Sequence, residues 1–142
     1  MEKATAIARI VREELQKEKI PLWSTWNLEG ACAVASEILV RVLRARGFRA
    51  TFVVGEFKDG HPRCNEEHCW VTLPVGRVLD ITATQYGMFP EIRWSSVENP
   101  QYRRKYRGKR AYPVGWVQAD LHSADFQRVL QRVRRRLRRE GL

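Results

Sequence analysis

The sequence predicts an α+β protein in which N-terminal helices pack on a small antiparallel β-sheet and a basic helix follows near the C-terminus. Two stretches with apolar residues at helical spacing come first, three short stretches rich in β-branched and aromatic residues follow, and one more helical stretch comes last. A β-meander that follows helices is typical of the α+β class. The length of 142 residues suits a single domain, residues 1–142, with a modest core.

The three helices are predicted from the spacing of their apolar residues, and they cover residues 4–18, about 29–46 and about 124–139. Pro21 stops the first helix, Gly47 is well placed to end the second, and Ser123 is a plausible N-cap for the third. The third helix is expected to bury one apolar stripe, made of Phe126, Val129, Leu130, Val133 and Leu137.

The three strands are predicted over residues 49–57, 67–73 and 77–83, where β-branched and aromatic residues are frequent. A short turn, Pro74-Val75-Gly76, separates the last two strands and predicts a hairpin. Residues 84–121 contain Gly, Pro and aromatic residues without a clear period, and no element is assigned there.

Composition is that of an ordinary soluble globular protein, with 44% apolar and 30% charged residues. No apolar run approaches the roughly 18–20 residues that span a bilayer, and the charged N-terminus does not resemble a secretory signal. We therefore expect a cytoplasmic protein with no transmembrane segment. An odd number of cysteines, three, favours free thiols, with a Cys64–Cys69 bridge as the alternative.

The net charge of +10 is concentrated in the C-terminal part of the chain. Residues 1–100 carry 13 basic and 13 acidic side chains, whereas residues 101–142 carry 13 basic and 3 acidic ones. The basic residues alternate with tyrosines at 102, 106 and 112, a mixture that suits phosphate contact and base stacking. We expect either a polyanionic partner, such as nucleic acid, an acidic protein patch or a membrane surface, or a merely solvated face. The candidate contacts are Arg103, Arg104, Arg107, Arg132, Arg135, Arg136 and Arg139.

Cys32 lies in the opening turns of the second predicted helix. The partial positive charge at a helix N-terminus stabilises a thiolate, so this position is typical of reactive cysteines. The alternative is that Cys32 is a small buried residue of the core.

His68 and Cys69 are adjacent, yet strand alternation sends their side chains to opposite faces of the sheet. We therefore expect Cys69 to pack in the core and His68 to point toward the helix that carries Cys32. The arrangement H-x2-C-x3-H-C, made of His61, Cys64, His68 and Cys69, leaves zinc binding as an alternative, but its spacing matches no usual zinc pattern. No metal or cofactor is expected.

Asp80 lies among Val78, Leu79 and Ile81, where a carboxylate needs a partner. If the hairpin has a three-residue loop, Trp70 lies opposite Asp80, and His68 becomes a diagonal neighbour of Asp80 on the same face. A thiol nucleophile needs a base that takes up and returns its proton, and an acid that orients the base. Cys32, His68 and Asp80 are the candidates for these three roles.

The stretches "GACAVASEILVRVLRARGFRATFVVGEF" and "HCWVTLPVGRVLDITATQYG" resemble the transglutaminase-like/papain-like superfamily of cysteine enzymes. The resemblance covers about residues 26–87, a catalytic-type core with Cys at a helix N-terminus and His and Asp on successive antiparallel strands. It implies Cys32 as nucleophile, His68 as general base and acid, and Asp80 as the orienting group. Because family members include peptidases, amidases, transglutaminases, deamidases and acyltransferases, it implies an acyl-enzyme step more than a substrate.

One departure from the family concerns the oxyanion, which a Gln shortly before the nucleophile often helps to hold. Asn27 is the candidate here, with Trp26 as another and a helix-capping role for Asn27 as the alternative. Two functions follow from the sequence. The first is a cysteine-dependent amide or peptide hydrolase, or acyl transferase, that acts through a thioester. The second is a non-catalytic adaptor of the same fold that binds nucleic acid or a nucleoprotein machine through residues 101–142.

Overall fold

The computed structural model describes residues 2–18, 31–57, 67–83, 91–95, 106–112 and 123–142. Within these ranges the chain forms three α-helices and a five-stranded antiparallel sheet, which confirms the predicted α+β class. The helices are α1 (Glu2–Gln16), α2 (Cys32–Arg44) and α3 (Ser123–Arg139). The strands are β1 (Thr51–Phe57), β2 (Glu67–Leu73), β3 (Arg77–Asp80), β4 (Arg93–Ser95) and β5 (Tyr106–Tyr112).

None of the helices that the structure describes is both long enough and apolar enough to cross a membrane.

Gly47 ends α2 as the sequence predicts. Its φ is 85°, in the left-handed region that glycine adopts without a Cβ clash. The N–H of Gly47 donates to the Arg44 carbonyl at 3.0 Å and that of Phe48 donates to the Leu43 carbonyl at 3.1 Å. These two bonds form a Schellman motif, which satisfies carbonyls that a helix end leaves without intrahelical donors.

The hairpin between β2 and β3 has the predicted register. Leu73 pairs with Arg77 across a three-residue turn, and Val71 pairs with Leu79. β3 ends at Asp80, three residues earlier than predicted. The Asp80 carboxylate accepts a hydrogen bond from the Thr82 N–H at 2.9 Å, an Asx-type turn that bends the chain away from the ladder.

The interval 84–121, to which the sequence analysis assigns no element, contributes β4 and β5. The sheet order is β4-β3-β2-β1-β5, so both strands are edges. β5 belongs to the basic region 101–142, and the segment Tyr106–Tyr112 pairs with β1 at six positions, with one register shift between Val54 and Gly55. The β5 sequence is basic, contains glycine and shows no alternation of apolar and polar residues, so the sequence alone does not indicate a strand. Pairing with β1 provides the backbone hydrogen bonds that make it one.

α2 packs on one face of the sheet, and α1 and α3 pack against α2 and against each other. The three helices form the main core together with this face of the sheet. The predicted stripe of α3 is confirmed, since each of its five residues is buried, namely Phe126, Val129, Leu130, Val133 and Leu137. α3 is therefore part of the core rather than an appended tail, and removing it would expose the apolar faces of α1 and α2.

The other face of the sheet holds a smaller cluster of buried residues, made of Phe57, Trp70, Val78 and Tyr106. The Tyr106 hydroxyl on β5 donates to the Asp80 carboxylate on β3 at 2.8 Å, although β1 and β2 lie between these strands. Three inter-strand spacings amount to about 14 Å in a flat sheet, so the sheet must curl strongly around this cluster. β1 and β5 approach each other closely at Gly55, because an added Cβ there would lie 2.2 Å from the Arg107 carbonyl oxygen.

Candidate functional site

Cys32 is the first residue of α2, as the sequence predicts in outline. The N-cap is Ala31, and the first helical hydrogen bond runs from the Ala35 N–H to the Ala31 carbonyl at 2.8 Å. The N–H groups of Cys32 and the next two residues therefore have no acceptor within the helix, and they form its positive end. Cys32 as a residue is partly exposed, and its place at the helix N-terminus stabilises a negative charge on the sulfur.

His68 and Asp80 form a buried pair. The His68 Nε2 atom lies 2.7 Å from Asp80 Oδ2, and both side chains are almost fully excluded from solvent. The three-residue turn places them as diagonal neighbours on one face, which is the arrangement that the hairpin register predicts.

Asp80 accepts hydrogen bonds on both carboxylate oxygens. Thr82 donates to Oδ1 from its N–H at 2.9 Å and from its hydroxyl at 3.3 Å, and Tyr106 donates to Oδ2 at 2.8 Å. Burial alone would raise the pKa of Asp80, but the charge of His68 and these donors hold it below its ordinary value. The carboxylate is thus ionised and held in one orientation toward the imidazole.

Cys32 completes the set, because it lies close enough to His68 that each shifts the pKa of the other: hydrogen bonding and the charge of His68 lower the pKa of the Cys32 thiol. Since Nε2 of His68 is engaged by Asp80, Nδ1 is the ring nitrogen left to exchange a proton with the thiol. Burial lowers the pKa of His68, but the negative charges of Asp80 and Cys32 and their hydrogen bonds raise it to about 9. The lowered pKa of Cys32 and the raised pKa of His68 favour an imidazolium beside a thiolate.

Cys69 is a second partner of Cys32. The hydrogen bond from Cys69 is the largest cause that lowers the pKa of Cys32 well below its ordinary value; burial raises it, and His68 lowers it further. The pKa of Cys69 is raised in turn, chiefly by this bond to Cys32 and also by burial. Cys69 is a free, buried thiol, so the alternative of a Cys64–Cys69 bridge is wrong.

The two neighbours on β2 reach Cys32 from different faces of the sheet. Cys69 belongs to the helix-facing core, as predicted, whereas His68 lies among the rings of Phe57 and Trp70 at centroid distances of 5.6 and 5.9 Å. His68 interacts with Cys32 of α2, as expected, but it does so from the aromatic face of the sheet and not from the face that carries Cys69. Alternation along β2 gives His68 the aromatic face, and it meets Cys32 at the start of the strand.

The aromatic face excludes water from the His68–Asp80 pair. Trp70 is a buried core residue of this face. Arg93, directly opposite Asp80 on β4, is also buried and lies over the rings of Phe57 and Tyr106 at 5.2 and 5.4 Å. A low-dielectric shell strengthens the charge interaction between His68 and Asp80.

Several predicted site residues lie outside the described residues. These are Asn27, the oxyanion candidate, the loop residues His61 and Cys64 of the zinc alternative, and Arg103 and Arg104 of the basic surface. In the parts of the chain that the structure describes, no group of three or more His, Cys, Asp or Glu side chains is arranged to hold a metal ion.

The basic residues of α3 divide into two sets. Arg132 and Arg136 are engaged by Glu13, Glu14 and Glu18 of the α1 region, and Arg128 also binds Glu18. The two predicted polyanion contacts Arg132 and Arg136 are thus largely neutralised within the protein. Arg107, Arg135 and Arg139 are exposed, as the prediction requires.

Three residues of the site escape sequence reasoning, namely Cys69, Thr82 and Tyr106. The sequence predicts a stacking role for Tyr106 in the basic region, but Tyr106 is buried and donates a hydrogen bond to Asp80. The signal for Cys69 was available, because the alternation that separates it from His68 also turns it toward α2. Nothing in the sequence pairs Tyr106 with Asp80, since that contact depends on the curl of the sheet.

Comparison with family models, with curated proteins and with solved structures gave no match for this chain.

Proposed function

We propose that this protein is a cysteine-dependent enzyme of the transglutaminase-like/papain-like type, which hydrolyses an amide or peptide bond or transfers its acyl group. The observation that carries the proposal is one connected set: a thiol at a helix N-terminus, hydrogen-bonded to an imidazole whose other nitrogen is bound to a buried carboxylate. The resemblance of residues 26–87 to that superfamily supports the same roles for Cys32, His68 and Asp80.

The first chemical step is attack of the Cys32 thiolate on the carbonyl carbon of the substrate. The proton of the thiol resides on His68, whose imidazolium is stabilised by Asp80. The negative charge that develops on the carbonyl oxygen is stabilised by N–H groups at the start of α2, including that of Cys32.

The second step expels the leaving amine. The C–N bond breaks as His68 donates its proton to the nitrogen, and a thioester remains on Cys32. His68 then removes a proton from water or from an acceptor amine, which attacks the thioester and restores the thiolate. Hydrolysis and transfer differ only in this acceptor.

The experiment uses an activated ester, p-nitrophenyl acetate, which needs no knowledge of the natural substrate. We expect a burst of nitrophenolate and an acetyl group on Cys32, identified by peptide mass spectrometry and removed by hydroxylamine. Matched variants are Cys32→Ala, which should lose the burst, and Cys64→Ser, which should keep it. Acetylation spread equally over the three cysteines, with no burst, would rule out an activated nucleophile.

A second candidate function, an adaptor for a polyanion, is favoured by the arginines on the exposed side of α3. Arg134, Arg135, Arg138 and Arg139 form no ion pair with the described part of the chain. Burial lowers the pKa of Arg46, and the positive charges of Arg134 and Arg138 nearby lower it further. Like charges gathered without acidic partners are stabilised when a polyanion binds.

The adaptor candidate is tested by fluorescence anisotropy with a labelled duplex oligonucleotide at increasing salt. The double variant Arg135→Gln/Arg139→Gln should weaken binding and reduce the salt slope by about 2, since each phosphate contact contributes roughly 0.9. A control of equal charge, Lys3→Gln/Arg77→Gln, should bind like the wild type. Equal weakening in both variants would mean that only net charge matters and that α3 is not a binding surface.

A further inference from the structure

We propose that a depression between the end of α1 and α3 is a binding site for a compact oligophosphate, an anion with two or more linked phosphate groups. The depression has a volume of about 400 Å³. Six described side chains line it, five cations and one carboxylate: Lys17, Arg132, Arg135, Arg136, Arg139 and Glu14. Such a site does not depend on the chemistry of Cys32, and it differs from the adaptor candidate because its ligand is compact rather than an extended polymer.

The inner part of the depression is held together by ion pairs. Glu14 is buried, and its carboxylate lies 2.9 Å from Arg132 Nη2 and 3.1 Å from Arg136 Nη1. Each of these two arginines also pairs with carboxylates that do not line the depression. These contacts fix the two guanidinium groups, so the inner part of the site is formed before a ligand arrives.

The outer part of the depression carries cations that the protein does not neutralise. Arg135 and Arg139 are exposed, and neither forms an ion pair within the parts of the chain that the structure describes. They lie one helical turn apart on α3, where like charges repel each other. Lys17 is also exposed, and its contact with Glu14 at 2.9 Å engages one of the three ammonium donors. Three side chains therefore offer positive charge and hydrogen-bond donors to a ligand.

The class of ligand follows from this charge and from the size of the depression. An anion that satisfies three cations within about 400 Å³ must carry several charges close together. Linked phosphate groups do so, because each is anionic at neutral pH and presents several acceptor oxygens that match the guanidinium fork. None of the described lining residues is aromatic, so the site offers no ring on which a nucleobase can stack. The phosphate chain itself is what the site recognises, whether it is inorganic or part of a nucleotide.

The experiment is isothermal titration calorimetry of the full chain with sodium tripolyphosphate at constant ionic strength. We expect saturable binding of one tripolyphosphate per chain. Inorganic phosphate, which reaches fewer of the cations, should bind at least about tenfold more weakly. ATP separates the two sources of a phosphate chain, and it should bind no more tightly than tripolyphosphate because its base finds no partner.

Two double variants locate the site. Arg135→Gln/Arg139→Gln should weaken the binding of tripolyphosphate about tenfold or more, since two charged donors are lost. The matched control is Arg134→Gln/Arg138→Gln, which removes the same charge at the same spacing on the same helix, from side chains that do not line the depression. The control should bind tripolyphosphate like the wild type.

Glu14→Gln should change binding in the opposite direction. The amide keeps the size of the side chain but releases positive charge on Arg132 and Arg136, so tripolyphosphate should bind about two- to fivefold more tightly, the usual effect of one exposed charge pair. A loss of folded protein cannot produce this gain, and circular dichroism confirms the fold of each variant.

The proposal is overturned if tripolyphosphate does not bind, if inorganic phosphate binds as tightly, or if ATP binds about tenfold more tightly than tripolyphosphate. Equal weakening in the two double variants also overturns it, since only net charge would then matter. Failure of the proposed function gives a different result: tripolyphosphate binds, but p-nitrophenyl acetate produces no acetyl-Cys32.

Discussion

At the scale of single residues, Asp80 connects the chemistry of the site to its architecture. Its carboxylate contacts His68 directly and receives donors from Thr82 on the same chain bend and from Tyr106 on a distant strand. A buried carboxylate with so many donors stays ionised, and its charge is what allows a buried imidazole to hold a proton.

Asp80→Asn removes that charge while it keeps the size of the side chain. We expect the pKa of His68 to fall from about 9 by about 1–3 units, the usual effect of an opposite charge at this distance. Imidazole chemical shifts followed by NMR across pH 5–10 measure it. Tyr106→Phe is the matched control, because it removes one donor to Asp80 and no charge, so its effect should be smaller.

If His68 titrates in Asp80→Asn where it does in the wild type, the carboxylate does not control the imidazole.

The Cys32–His68 pair also makes a specific prediction about stability and pH. Between pH 6.5 and about 8, the folded pair holds one proton, on His68, and the unfolded chain also holds one, on the thiol of Cys32. The pair therefore contributes no pH dependence in this window. In Cys32→Ser the contribution of Cys32 to the pKa of His68 is lost, but Asp80 still raises it. The His68 proton then stabilises the fold fully below pH 6.5 and less as the pH rises.

We expect the free energy of unfolding of Cys32→Ser to fall above pH 6.5 by about 1.4 kcal/mol per pH unit, until the pH passes the pKa of His68. The wild type should stay nearly level from pH 6.5 to 8. Urea titrations at several pH values measure both slopes. Parallel curves for the two proteins would mean that the thiol of Cys32 remains protonated.

At the scale of secondary-structure elements, the contact of β1 with its neighbours depends on Gly55. The Cβ of an added side chain would lie 2.2 Å from the Arg107 carbonyl oxygen and 2.6 Å from the Trp70 ring. The first of these atoms belongs to the backbone of β5, so it cannot rotate away. The close approach lets Trp70 cover the sheet beside His68.

Gly55→Ala should destabilise the protein by about 1–3 kcal/mol, the usual cost of overpacking, as measured by urea denaturation. Gly108→Ala is the matched control on the facing strand, because its Cβ would meet a movable Val53 methyl group at 3.2 Å. Gly55→Ala should cost clearly more than Gly108→Ala. Equal costs would show that the strands adjust freely at this position.

The pairing of α1 with α3 depends on Glu14, a buried carboxylate that binds Arg132, Arg136 and Lys17. Burial raises the pKa of Glu14, but hydrogen bonds from Lys17 and the two arginines lower it below its ordinary value of 4.5. A depressed carboxylate pKa stabilises the fold above that ordinary value, and the contribution is lost as the pH falls.

We expect Glu14→Gln to cost about 1–2 kcal/mol at neutral pH, between the usual values for exposed and buried ion pairs. Chemical denaturation at pH 7 and at pH 3.5 measures the effect, which should shrink at the lower pH. Glu13→Gln, which removes a more exposed partner of Arg136, is the control and should cost less. An effect of Glu14→Gln that does not change with pH would contradict an electrostatic origin.

At the scale of the whole molecule, the sequence predicts the parts that depend on local pattern and misses those that depend on closure of the sheet. The helix stripes, the β2–β3 register and the His68–Asp80 contact follow from periodicities of 3.6 and 2 and from a turn length. β5 has no such pattern, and the contact of Tyr106 with Asp80 arises only when the sheet curls. The hydrogen bond between Cys32 and Cys69 depends on how α2 sits over β2, which alternation cannot specify.

The charge asymmetry also acquires a different meaning at this scale. The basic C-terminal segments have structural roles. β5 forms one edge of the sheet, and α3 packs in the core and forms ion pairs with Glu14 of α1. Arg135 and Arg139, which are exposed, lie beside those ion pairs, in a depression that Glu14, Arg132 and Arg136 also line.

The central claim, that Cys32 is a thiolate held by His68, is tested most directly by the pH dependence of its alkylation by iodoacetamide. In the Cys64→Ser protein, peptide mass spectrometry should find Cys32 labelled well below the pKa of a free thiol, about 8.5, and Cys69 unlabelled. His68→Ala should move the Cys32 profile to higher pH. Labelling of Cys32 only at alkaline pH, at the same rate with and without His68, would contradict the account.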